Sequence, residues 1–109
     1  MQSEILKEMK RTMVTNFLDT IILAELKNSS PLSGYDILDF VYKKFGFLIS
    51  PGTIYALLYA MERKGLVRGS YSQTKRVYTL TGKGTETIDD IWGSKEEIFR
   101  FMRTLFNGW

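Results

Sequence analysis

Ser50-Pro51-Gly52-Thr53-Ile54-Tyr55 gathers two small hydroxyls, a proline and a glycine within six residues. These are the makings of a helix start whose free amides and small polar side chains can approach phosphate oxygens or base edges. Ser50 is a good N-cap, Pro51 suits a first helical position that lacks an amide partner, and Ile49 and Ile54 stand where a hydrophobic staple sits. Leu57, Leu58 and Met61 continue one apolar face and Gly65 is placed to end the helix, which leaves Thr53, Tyr55, Ala56 and Tyr59 on the other face. A second polar group follows at Ser72-Gln73-Thr74, with Lys75 and Arg76 as flexible cations suited to phosphate. The candidate DNA-binding residues are therefore Ser50, Gly52, Thr53, Tyr55, Ala56, Tyr59, Thr74, Lys75 and Arg76.

Other chemistries lack their side chains. With no cysteine and no histidine, disulfides, thiolate metal sites and the usual nucleophile and base constellations are excluded. Glu62, Asp89 and Asp90 fall within helical patterns and read as solvated faces. An enzyme, a metal site and a cofactor are not expected.

The elements that must carry these residues follow from apolar spacing. From Ile5, the positions Leu6, Met9, Met13, Phe17, Ile21 and Leu26 recur at steps of three to five, which predicts one long helix or two abutting ones. Asn28-Ser29-Ser30-Pro31 breaks the pattern. Ser33 then caps a new helix, stapled by Leu32 and Ile37, that turns Ile37, Leu38, Val41 and Phe45 inward and ends at Gly46. After Gly65 the period changes to that of strands, and residues 66–71 and 75–80 form a hairpin around the polar tip. Thr81 caps a final helix, softened at its start by Gly82 and Gly84.

That last helix repeats Ile91, Ile98 and Leu105 at intervals of seven, and Trp92, Phe99 and Phe106 likewise. Together with Ile88 and Met102 they make a seam broader than a small domain can cover, so a second copy of the chain is the expected partner. Trp92 and Phe99, with Trp109 nearby, are candidates for an aromatic ligand site, although aromatic residues at helical spacing also serve as plain interface core.

Charge agrees with an anionic partner. The net charge is +3, yet residues 1–84 carry 12 Lys and Arg against 7 Asp and Glu, while residues 85–109 carry 3 against 5. No apolar run approaches the roughly 18 residues needed to span a bilayer, and no signal peptide is visible, so a cytoplasmic protein without a membrane partner is expected.

The order helix, helix, capped helix, hairpin is that of a winged helix-turn-helix, in which the third helix enters the major groove and the hairpin, or wing, lies along the flanking backbone. The expected fold is mostly α with a small β-hairpin: a DNA-binding unit over 1–81 and a dimerisation helix over 82–109, compact enough to form one domain. The chain resembles the PadR family of transcriptional regulators in Leu32-Ser33-Gly34-Tyr35-Asp36-Ile37, in Ser50 to Tyr55, in Leu57 through Glu62-Arg63-Lys64-Gly65-Leu66-Val67, and in Arg76-Val77-Tyr78-Thr79-Leu80-Thr81. The resemblance covers about residues 15–84. It implies a homodimeric repressor that dimerises through a C-terminal helix and, in some members, takes a flat apolar effector between subunits; two recognition helices in such a dimer are expected to read a palindromic operator. Ser33 stands where the family usually has histidine, Ala56 where it usually has proline, and Gly82 where an acidic or helix-friendly residue is common. Ala56 alters a groove-facing surface, so operator preference does not carry over.

Some placements have two readings. Tyr35 and Tyr78 follow patterns that point at the core, Tyr55 and Tyr59 share a face that points at DNA, and Lys7, Lys10 and Arg11 either reach phosphate or solvate the first helix. A protein-interaction module that keeps the winged fold without reading sequence is the alternative function, and a regulator sensing a flat apolar ligand at the dimer interface is the other.

Overall fold

A computed structural model describes residues 3–108. The expected single or double first helix is two: α1 (Glu4–Asn16) and α2 (Leu18–Asn28), which meet at Phe17 with φ −103° and ψ 16°. Ser3 caps α1, accepting from the Leu6 amide at 3.1 Å. After α2 comes β1 (Leu32–Ser33) and then α3 (Gly34–Phe45), opened by a capping box in which Ser33 Oγ accepts from the Asp36 amide and Asp36 Oδ2 accepts from the Ser33 amide. The helix from Ser50 is α4 (Pro51–Arg63), closed by Gly65 in the left-handed region at φ 77°.

The hairpin consists of β2 (Val67–Ser72) and β3 (Lys75–Leu80), antiparallel, with Val67 opposite Leu80 and Ser72 opposite Lys75. Its two-residue turn places Gln73 at φ 60°. Residues 32–33, expected only as a helix lead-in, also pair with β3, so the sheet has three strands in the order β1-β3-β2.

The expected single last helix is corrected to two, α5 (Gly82–Gly93) and α6 (Lys95–Thr104), broken at Ser94 with φ −103° and ψ 9°. Gly93 and Ser94 are both weak helix formers, which locates the break. Leu105 and Phe106 follow α6 in turns. At the start of α5, where the two glycines predict softness, Thr81 Oγ1 accepts from the Gly84 amide and donates to the Gly65 carbonyl. A side chain at buried Gly84 would collide with the Leu66 carbonyl, so glycine there serves close packing.

The core lies where α2, α3, α4 and the sheet converge, around Leu18, Ile22, Leu26, Ile37, Val41, Ile54 and Leu58, all at or below 1% exposure. Met61, Val67 and Tyr78 join it, as does Ile88 of α5. The radius of gyration is 15.4 Å and the extents 53 × 30 × 21 Å, against about 13 Å expected for a compact chain of this length. The elongation goes with the two end helices: α1 buries only Val14, and α6 buries no residue. No helix among the described residues is long and apolar enough to cross a membrane.

Candidate nucleic-acid interface

The capped start of α4 has the geometry its sequence implies. Ser50 Oγ accepts from the Thr53 amide at 3.1 Å and lies 2.8 Å from Thr53 Oγ1, so the two hydroxyls are oriented by each other at the open end of the helix. Ile54, Leu58 and Met61 seal the inner face. Gly52, Tyr55, Ala56, Tyr59 and Arg63, spaced as one helical stripe, are all exposed. Arg63 was not singled out from sequence, although its position four residues after Tyr59 was the available signal; its guanidinium lies 5.7 Å from the Tyr59 ring centroid. Tyr55 is half exposed, but its ring rests against Gly34 at the start of α3 and belongs partly to the fold.

The tyrosine pair expected in the core splits. Tyr78 is buried as expected, whereas Tyr35 is 69% exposed. It occupies the first turn of α3, off the face formed by Ile37 and Val41, which corrects its assignment to the core.

On the wing, Thr74 and Lys75 are exposed and Lys75 Nζ lies 4.0 Å from Asp36 Oδ2. The Asp36 carboxyl is held below its ordinary pKa, first by the Ser33 amide it accepts from and further by the Ser33 hydroxyl and by Lys75. Arg76 departs from the expected flexible tip cation. Its Nη2 donates to Glu62 Oε2 at 2.8 Å and to Oε1 at 3.0 Å, and these bonds raise its pKa above the ordinary arginine value. The correction follows from strand alternation: position 76 shares a face with Tyr78 and Leu80, which point inward, while Lys75 shares one with Val77 and Thr79. Arg68, on the outward face of β2, is an exposed wing cation that sequence reading passed over. Of the basic stripe on α1, Lys7 and Lys10 are exposed, and Arg11 covers the Phe47 ring at 4.9 Å in the connector before α4.

At the other end of the molecule, the residues expected at a dimer interface divide. Ile88 is 2% exposed and belongs to the core, so it is not available to a partner. Ile91 packs against that core, Ile98 and Met102 are half-buried, and Trp92, Phe99, Leu105 and Phe106 are exposed. Trp109 lies outside the described residues. The sequence reading missed a second apolar surface on α1, where Ile5, Leu6, Met9, Met13 and Phe17 are exposed. Trp92 lines a groove of about 860 Å³ with Ile21, Ala24, Phe40 and Phe45, rimmed by the Lys27–Asp89 ion pair. Phe99, expected beside Trp92 at a ligand site, does not line it. Among the described residues no acidic cluster could hold a metal ion.

This architecture has relatives. The model of the Transcriptional regulator PadR-like family matches residues 22–90. A PadR-like transcriptional regulator from Bacillus cereus is 25% identical, with a TM-score of 0.73 over 90% of this chain and 99% of that one. A PadR family regulator from Eggerthella lenta shares the fold at a TM-score of 0.80, with 18% identity over 97% of this chain and 96% of its own. Bacillus subtilis PadR, solved in complex with operator DNA, is 30% identical with a TM-score of 0.57, covering 67% of this chain and 45% of that one. No curated protein is similar to the chain at a significant level.

Proposed function

The chain belongs to the PadR-like family of transcriptional regulators, and we propose that it is a homodimeric repressor that binds a palindromic operator sequence-specifically in the cytoplasm. The observation that carries this reading is the outer stripe of α4, left open to solvent beside a capped helix start with oriented hydroxyls. Ser50, Gly52, Thr53, Ala56 and Tyr59 face the major groove, with Tyr55 at its edge, and Thr74 and Lys75 meet the flanking phosphates. That a relative was solved on operator DNA supports the same partner here.

Dimerisation is supported by the apolar residues that the single chain leaves exposed on α1 and α6. In this reading residues 1–81 form the DNA-binding unit and 82–109 the dimerisation arm, with α5 anchored in the first through Ile88. A pair of α4 helices about 34–36 Å apart reads one face of the duplex. Selection of bound duplexes from random-sequence DNA tests the proposal: a regulator enriches one palindromic motif, and a protein-interaction module enriches none.

The groove beside Trp92 favours a second, compatible reading, in which a flat apolar effector binds there. Tryptophan fluorescence that responds to no such compound argues against it.

A further inference from the structure

Glu62 lies in the last turn of α4 and turns toward the wing. Its carboxylate receives Arg76 Nη2 at 3.0 Å on Oε1 and 2.8 Å on Oε2, and the Gly69 amide at 3.2 Å on Oε2. Arg76 belongs to β3 and Gly69 to β2, so one side chain at the end of α4 holds both strands of the hairpin. Because β2 is an edge strand, Glu62 also satisfies an amide that points away from the sheet.

The seat for the arginine is shaped as well as charged. The Tyr71 and Tyr78 ring centroids lie 5.6 and 5.7 Å from its guanidinium carbon. A Cβ at Gly69 would collide with the guanidinium. A fully exposed ion pair between long side chains adds little to any structure. This pair is 38% and 31% exposed, and it joins elements that the chain separates by a turn and a strand.

We propose that Glu62 is a positioning residue for DNA recognition, fixing the angle of the wing on α4 through Arg76 and the Gly69 amide, and that Arg76 serves this lock in place of a phosphate. Lys75, on the opposite face of β3, is exposed and takes no part in this lock. The inference rests on the DNA-binding reading above.

The test titrates wild type, Glu62→Gln, Arg76→Gln and Gly69→Ala against a duplex that the wild type selects from random-sequence DNA, and against a scrambled duplex, across a salt series. A lock predicts that all three variants lose about tenfold in affinity for the selected duplex while keeping the salt slope and the affinity for scrambled DNA. Gly69→Ala is the informative member, since it removes no charge. The Glu62→Gln, Arg76→Gln double variant is expected to be no weaker than either single one.

Direct binding of Arg76 to phosphate predicts the opposite pattern. Arg76→Gln then flattens the salt slope by roughly one for each phosphate left without its cation, and Glu62→Gln, by freeing a cation, binds as well as wild type or better. Either of those results overturns the lock, as do unchanged affinities in all three variants. Should circular dichroism show that one of them does not fold, Arg76→Lys takes its place: it keeps the charge that a phosphate needs and loses the two-oxygen, ring-stacked geometry that the lock needs. Retained affinity there overturns the proposal. A wild-type protein that selects no duplex overturns the DNA-binding reading itself, and the lock with it.

Discussion

The ring of Tyr55 rests on Gly34, where a side chain would place its Cβ 2.5 Å from Tyr55 Cε1. The first turn of α3 and the outer stripe of α4 therefore meet through an aromatic ring and a missing methyl. Gly34→Ala must displace the Tyr55 ring and is expected to destabilise the fold by up to about 1 kcal/mol in urea unfolding, the low end of overpacking costs, since that ring is 48% exposed and can swing aside. Adding Tyr55→Ala should recover most of that loss, because the two changes act on one meeting point. Simple additivity would show that they do not meet.

Two glycines in the first turn of α5 should respond to alanine with opposite signs. Gly82 has open space around it, so Gly82→Ala stabilises by about 0.4–1 kcal/mol by restricting the unfolded chain. Gly84 faces the Leu66 carbonyl and Leu80, and Gly84→Ala destabilises by about 1–3 kcal/mol despite the better helix propensity. Thermal unfolding of the two variants checks both.

The capping box makes stability depend on pH. Asp36 has its pKa lowered in the folded chain, so its contribution is complete above the ordinary aspartate value and is lost as pH falls through about 4 and below. Asp36→Asn should flatten that acid limb, and Ser33→Ala should cost about 1 kcal/mol at neutral pH through the lost cap. Urea midpoints measured from pH 7 down to the acid limb separate the two effects.

On α4 and the wing, Thr53→Ala and Tyr59→Ala are expected to change which bases are preferred, at about 1–3 kcal/mol for each base-reading side chain removed. Lys75→Ala should weaken all duplexes alike and reduce the salt slope by roughly one. Selection profiles and salt titrations of the three variants distinguish sequence readout from phosphate binding.

If the exposed apolar residues of α1 and of the C-terminal arm form the proposed dimer interface, Ile98→Asp, Leu105→Asp and, on the other surface, Met9→Glu should each give a monomer in sedimentation. Variants of Ile98 and Leu105 that remain dimeric would remove α6 and the turns after it from the interface.

Much of this arrangement was legible because its signals are local. Ser33 with Asp36, Ser50 with Pro51, and Gly46 and Gly65 each fix a helix end within four residues, and the change of period after Gly65 marks the hairpin. What was not legible depends on partners far along the chain. Arg76 reads as a tip cation until Glu62, on another element, is seen to hold it. Tyr35 reads as core until α3 is rotated by Ile37 and Val41, and β1 is too short for any periodicity. Ile88 reads as seam because a heptad pattern does not say which turn of a helix the core will claim first. The apolar stripe of α1 was visible, but its exposure was not.

The break at Ser94 separates a helix sealed into the core by Ile88 from one with no fully buried residue. In a dimer joined through α6, the torsions of that one serine set where the second copy stands, and hence how far apart the two reading heads fall. Inserting or deleting a single residue within α5, before the break, would turn the partner by about 100° about the helix axis. Which operator spacing is tolerated would then be decided at a point on the chain that never touches a base.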